Sequence, residues 1–150
     1  MEFKNAPEIT EGLKDFLDEA VLGYTGPYDS FLESVVNWQK DRHNWHIEKD
    51  WIVNTQGAVS ALHNAIRALT NHGDGIITFR PVYYPFGTAI EHNERKEVNV
   101  PLLYNDGHYT IDFEAFGKAA TDPRNKMLLF CSPHSPWGLP RVFLEWFHLK

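Results

Sequence analysis

Apolar positions recur along the chain with two periods. From Asn5 to Gly23, residues Ile9, Leu13, Phe16, Leu17 and Ala20 fall three or four apart, which is one face of a helix. Asn5 is placed to cap that helix, Pro7 suits its first turn, Glu8 sits three residues after the cap, and Gly23 would stop it. "GYTGPYDS" reads as a loop. Asp29 or Ser30 then caps a second helix carrying Phe31, Val35 and Trp38. The short run "WIVNT" (51–55) predicts a buried strand. After it, Val59, Leu62, Ala65, Ile66 and Leu69 mark the inward face of a third helix, with Gly73 at its end.

Beyond Gly73 the pattern changes. "GIITF" (75–79), "KEVNVPL" (96–102) and "KMLLF" (126–130) read as strands, with a short helix around Thr88 to Asn93 between the first two. "YNDGHYT" holds a turn signal, and "IDFEAFGKAA" is a helix capped by Asp112 and weakened by Gly117. Strand 51–55, a helix and strand 75–79 would make a β-α-β unit with parallel strands. The alternation as a whole predicts an α/β fold with a mostly parallel sheet.

Composition narrows the field. The 150 residues suit one domain, 43% of them are apolar, and the net charge of −6 argues against a sequence-independent nucleic-acid surface. No stretch approaches the roughly 20 apolar residues of a membrane span, and a single cysteine, Cys131, fits a reducing, cytoplasmic setting. His43 and His46 share a helix face, but no third ligand accompanies them, so they read as a polar helix end and no metal is expected.

In open parallel sheets ligands bind beyond the carboxyl ends of the strands. Three loops qualify: "TQGAV", "RPVYYPFG" and "CSPHSPWG". Gly57, Ala58 and Val59 open a helix whose first amides lack partners, which makes an anion cradle suited to phosphate or else a plain strand-to-helix turn. Tyr83 and Tyr84, between Pro81 and Pro85, offer a flat face to an aromatic ring or pack into the core.

The segments "GYT", "NTQGAVSALHNAIRALTNHGD", "RPVYYPF" and "LLFCSPHSPWG" together resemble the fold-type I pyridoxal-phosphate enzymes. The likeness is to the cystathionine β-lyase-like branch known as MalY/PatB, beside the class I/II aminotransferases, and it runs through roughly residues 2 to 136. It implies part of a three-layer α/β/α large domain over 1–136, truncated before the Schiff-base lysine, with 137–150 a divergent tail. It also implies that the strand at 51–55 is separated from that at 75–79 by strands arriving later in the sequence. By position, Gly57, Ala58 and Val59 would cradle the pyridoxal 5′-phosphate phosphate, and Tyr83 would stack on its ring. Tyr24 would reach the phosphate held by the partner subunit of a homodimer. Ser135 stands where the family's His-Asn-Pro-x-Gly motif has an asparagine bonded to the phenolic oxygen, so that contact is lost or carried by water. Cys131 and His134 read as framework.

The family also needs a lysine that moves a proton and an aspartate on the pyridinium nitrogen, both downstream of that turn. The eight lysines here (Lys4, Lys14, Lys40, Lys49, Lys96, Lys118, Lys126 and Lys150) lie in no such context, and no catalytic residue is assigned. The resulting expectation is a truncated C–S β-lyase of the cystathionine β-lyase type, whose intact relatives act on cystathionine or cysteine S-conjugates, inactive alone and without covalent attachment of the coenzyme. The alternatives are an aminotransferase fragment, or a non-catalytic remnant that binds phosphate ligands or a partner. Met1 reads as an internal methionine of the family, and "WGLPRVFLEWFHLK" departs from the family's continuation, as a shifted reading frame near position 135 would produce. Re-reading the coding DNA there in its other frames should restore Asn-Pro-x-Gly-Arg-Val; if none does, the frameshift is excluded.

Overall fold

A computed structural model describes residues 3–136; the divergent tail, 137–150, lies outside the described residues. The chain forms two units, Met1–Asn54 and Thr55–Lys150.

In the first unit, α1 (Pro7–Glu19) follows Ala6, not an Asn5 cap. The Asn5 amide donates to Thr10 Oγ1 at 2.7 Å, which takes that side chain away from the helix amides. α1 also ends before Gly23, at an extended Ala20, and its stripe of Ile9, Leu13, Phe16 and Leu17 is exposed. α2 (Asp29–His43) starts after Tyr28 with no side-chain cap, so neither Asp29 nor Ser30 performs that role. It stops at Asn44, whose left-handed backbone (φ 49°) turns the chain while the Asn44 amide donates to Lys40 O at 3.0 Å. A single 3-10 turn, Lys49–Trp51, follows. Lys49 Nζ donates to Glu33 at 2.7 Å and lies 3.5 Å from Asp29, and the Glu33 bond holds the ammonium pKa above its ordinary 10.5.

The strand expected at 51–55 does not form. Trp51 closes the 3-10 turn, residues 52–55 carry no strand pairing, and Val53 is exposed. A strand is completed by its neighbours, and an apolar run cannot supply them alone.

The second unit is built on a parallel sheet of order β2-β1-β5, with β1 (Gly75–Thr78), β2 (Lys96–Asn99) and β5 (Asn125–Leu128). The β-α-β unit is therefore β1, α4 (Pro85–His92) and β2, not strand 51–55 with 75–79. Successive side chains of a strand point to opposite faces. Ile76 accordingly joins Ile66, Phe86, Ala89, Ile90 and Leu129 on one face, under α3 (Ala58–Leu69) and α4. Ile77 joins Phe79, Val100, Leu102 and Ile111 on the other, under α5 (Phe113–Thr121). The result is the expected three-layer α/β/α arrangement. Asp112 Oδ1 accepts from the Ala115 amide at 2.9 Å, the cap read from the sequence. A second sheet, the antiparallel hairpin of β3 (Leu103–Asn105) and β4 (His108–Thr110), turns through Asp106 and Gly107, both at positive φ. Two such residues make the turn that suits a two-residue hairpin.

The inward face of α3 is narrower than its periodicity suggests. Ile66 is fully buried, whereas Leu69 is 71% exposed and Val59 is exposed as well. Ile66 is the α3 residue buried in the core cluster, with Leu62 partly buried against it.

Asn93, at the end of α4, ties the two helices together. Its Oδ1 accepts from Arg67 Nε at 2.7 Å, and its Nδ2 donates to Ala89 O at 2.6 Å and lies 2.8 Å from His63 Nδ1. Arg95 donates to Thr70 Oγ1 at 2.9 Å and to the carbonyls of Thr70 and Asn93, closing the last turns of α3 and α4. Asn93→Ala strips a buried donor and acceptor and is expected to destabilise the unit by about 1–3 kcal/mol. Urea denaturation checks this, and an unchanged midpoint would contradict it.

Candidate functional site

α3 begins at Gly57, whose φ of 97° is open to glycine and strained for other residues. The first amide to close a turn is that of Ala61, donating to Gly57 O at 3.1 Å. The amides of Ala58, Val59 and Ser60 are thus left without an intrahelical acceptor, no side chain caps them, and the first turn holds no acidic residue. A Cβ at Gly57 would meet nothing within 4 Å, so the space before these amides is open. Unpaired donors and the helix dipole make this end attractive to an anion.

The segment after β1 is anchored at Arg80. Its backbone amide donates to Asn99 Oδ1 at 3.1 Å, and its carbonyl accepts from the Leu102 amide at 2.8 Å. Its guanidinium grips Glu97 with two bonds, Nε to Oε1 at 2.7 Å and Nη2 to Oε2 at 2.6 Å, and Thr78 Oγ1 donates to Oε1 at 2.7 Å. The Arg80 bonds hold the Glu97 carboxyl below its ordinary 4.5. Gly87 leaves room for this clamp, because a Cβ there would stand 2.5 Å from Arg80 Nη2. Beyond the anchor, Tyr83 is 42% exposed and its ring centroid lies 5.5 Å from that of Tyr84, tilted by 59°.

The segment after β5 carries the other candidates. Cys131 packs against the Ile66–Ile76 cluster, and His134, 3% exposed, places Nε2 2.7 Å from Pro81 O. Ser135 is exposed.

Because β1 and β5 are parallel, their following segments leave the same edge of the sheet. α3 leads through a short turn into β1, so it runs back along the sheet and starts at that carboxyl edge. The structure thus gathers Gly57, Ala58, Val59, Tyr83 and Ser135 at one edge. Tyr24 belongs to the Met1–Asn54 unit, where its side chain is fully exposed. Arg80, Glu97 and Asn99 were not legible as a clamp. A charged side chain within an apolar strand was the only signal, and its meaning depends on the register that pairs Ile76 with Glu97 and Thr78 with Asn99. A cavity of about 470 Å³ lies beside the clamp, lined by Arg80, Tyr84, Gly87 and Glu97, and cavities of about 430 and 600 Å³ lie around Arg67 and His92 and around Lys96 and Lys126. His43 is the last residue of α2 and His46 lies beyond it; among the described residues no three metal-ligating side chains gather. Among them, too, no helix is long and apolar enough to cross a membrane.

Residues 3–140 match the family of class I and II aminotransferases. Cystathionine beta-lyase PatB of Bacillus subtilis is 38% identical over 138 residues, covering 92% of this chain and 36% of that protein. Protein MalY of Escherichia coli is 30% identical over 139 residues, with 92% and 36% covered. The crystal structure of cystalysin from Treponema denticola, which contains pyridoxal 5′-phosphate, superposes with a TM-score of 0.89 at 56% identity, covering 92% of this chain and 35% of that one. The chain therefore spans little more than a third of the length of these relatives.

The Glu97 clamp has a pH signature. Its carboxyl is held low in the folded chain, so its contribution to stability is present above 4.5 and is lost as pH falls through the lower folded value. Glu97→Gln should reduce stability by on the order of 1 kcal/mol near neutral pH, and the gap from wild type should close as pH drops below 4.5. Thermal melts across a pH series check this; a gap independent of pH would contradict it.

Proposed function

Because the chain belongs to the class I and II aminotransferase family, we propose that it carries the coenzyme-facing portion of a pyridoxal-phosphate-dependent C–S β-lyase of the cystathionine β-lyase type. The substrate class is cystathionine and related cysteine S-conjugates, a reading supported by the similarity to PatB and MalY over 92% of the chain. The observation that carries the proposal is the open start of α3. Three unpaired amides behind a positive-φ glycine stand at the same sheet edge as Tyr83 and Ser135.

These residues fit the group. Gly57, Ala58 and Val59 would cradle its phosphate, with the unpaired amides of Ala58 and Val59 as donors and no side chain capping them in competition. Tyr83 covers the ring with its exposed face. Ser135, exposed in the turn after β5, offers one hydroxyl as donor or acceptor on the ring's oxygen side, directly or through water. When bound, pyridoxal phosphate supplies an electron sink for bond breaking at the α-carbon of an amino acid. Residues 1–136 form part of the large domain of such an enzyme. In a cytoplasmic homodimer, Tyr24 reaches the phosphate site of the second subunit. No lysine of this chain is assigned a covalent role, so the binding proposed is reversible.

Titration with pyridoxal 5′-phosphate should show saturable binding, and borohydride treatment followed by peptide mass mapping should find no specifically modified lysine. Gly57→Ala, strained at this φ and filling the space before the amides, should weaken binding about tenfold. Absence of saturable binding would overturn the coenzyme reading, and a specific lysine adduct would overturn its reversible form.

A further inference from the structure

We infer that His134 is a positioning residue whose imidazole sets Tyr83 against Ser135, so that the ring-covering face and the hydroxyl are presented together. The inference rests on the coenzyme reading of this edge.

The segment from Arg80 to Pro85 is fixed at both ends. Arg80 is held by Glu97, Asn99 and Leu102, and Pro85 begins α4, with the Phe86 amide returning to Tyr83 O at 3.1 Å. Between these ends lie Pro81, Val82, Tyr83 and Tyr84. Val82 packs against the Ile66–Ile76 cluster. Among the described residues, the hydrogen bond that reaches residues 81–83 from outside this segment and α4 is the one from His134 to Pro81 O, at 2.7 Å. A carbonyl can only accept, so Nε2 carries the proton. The imidazole is buried to 3% exposure, where water cannot replace the bond. Tyr83 lies two residues beyond the accepting carbonyl, and Ser135 is the next residue after the donor. One hydrogen bond therefore spans the two segments whose side chains would face the ring from different directions. The bond lies on the backbone of the Tyr83 segment and not on a reacting atom, which makes His134 a positioning group and not a catalytic one.

The phosphate cradle at Gly57, Ala58 and Val59 stands on α3 and does not share this bond. Loss of the imidazole should thus release the ring contacts and spare the phosphate contacts. The test measures two affinities on the full chain, for pyridoxal 5′-phosphate and for inorganic phosphate, in wild type, His134→Ala, His134→Gln and His134→Asn. A glutamine amide nitrogen can fall where Nε2 stands, and an asparagine is too short to reach it. His134→Ala and His134→Asn should weaken pyridoxal 5′-phosphate about tenfold with inorganic phosphate unchanged, and His134→Gln should recover to within about threefold of wild type. Nitrogen-detected NMR of the wild-type ring, with no ligand added, should find Nε2 protonated.

Equal coenzyme affinity in wild type and His134→Ala overturns the inference and leaves the coenzyme reading standing. Parallel loss of both ligands overturns it in favour of a general structural role, and a bare Nε2 overturns the hydrogen bond itself. Wild type that fails to bind pyridoxal 5′-phosphate overturns the coenzyme reading and the inference with it. If His134→Ala does not fold, the Gln and Asn variants decide, and equal affinities in those two overturn the inference.

Discussion

Burial of β1 on both faces is the constraint from which the arrangement of the Thr55–Lys150 unit follows. Ile76 and Ile77 are adjacent, so the pleat sends one toward α3 and α4 and the other toward α5. Each buried isoleucine contributes roughly 1.5–3 kcal/mol relative to exposure, and both are engaged only when helices cover both faces. β1 must also be central, because a strand apolar on both sides cannot serve as a solvated edge. β2 and β5 flank it in parallel, and everything that leaves their carboxyl ends arrives at one edge.

At that edge an anion held as proposed would meet neutral backbone. The nearby guanidinium of Arg80 is engaged by Glu97 and acts as a strut for the Tyr83 segment. The amides at the start of α3 are aligned by the helix itself and need no side chain to be held in place. This division fits a site in which the charged group of a ligand is held by rigid secondary structure and its ring by side chains on connecting segments.

How much of this was legible depended on the range of the interactions. β1, β2, β5, α5 and its Asp112 cap are governed by local pattern, and the sequence names them correctly. Helix α3 was legible too, although periodicity overstated its buried face, because which apolar residues are covered depends on the neighbours the helix packs against. The strand at 51–55 failed for a different reason: its composition is that of a strand, but pairing is a property of neighbours. The resemblance puts strands that arrive later in the sequence between 51–55 and 75–79; among the described residues β1 pairs with β2 and β5, and 51–55 with none. Asn5, Asp29 and Ser30 failed as caps because local hydrogen bonding and the preceding residue, Tyr28 for α2, fixed the helix starts otherwise. Two of the three loops leave the parallel strands β1 and β5 at one edge and the third reaches it as the start of α3, which is why the candidate site was easier to read than the clamp behind it. The Arg80–Glu97 and His134–Pro81 bonds join residues 17 and 53 apart in sequence. No periodicity encodes such pairs.

Arg95 has a consequence for how this unit comes apart. A single guanidinium closes the final turns of two helices, reaching Thr70 after α3 and Asn93 after α4. Fraying normally begins at helix ends and proceeds independently in each helix. Here unwinding of either terminus withdraws a partner from the cation that secures the other, so the two ends share a fate. The pair should open as one cooperative block, with amide protons near Thr70 and Asn93 exchanging at matched rates, and the carboxyl edge of the sheet rides on a layer that yields all together or not at all.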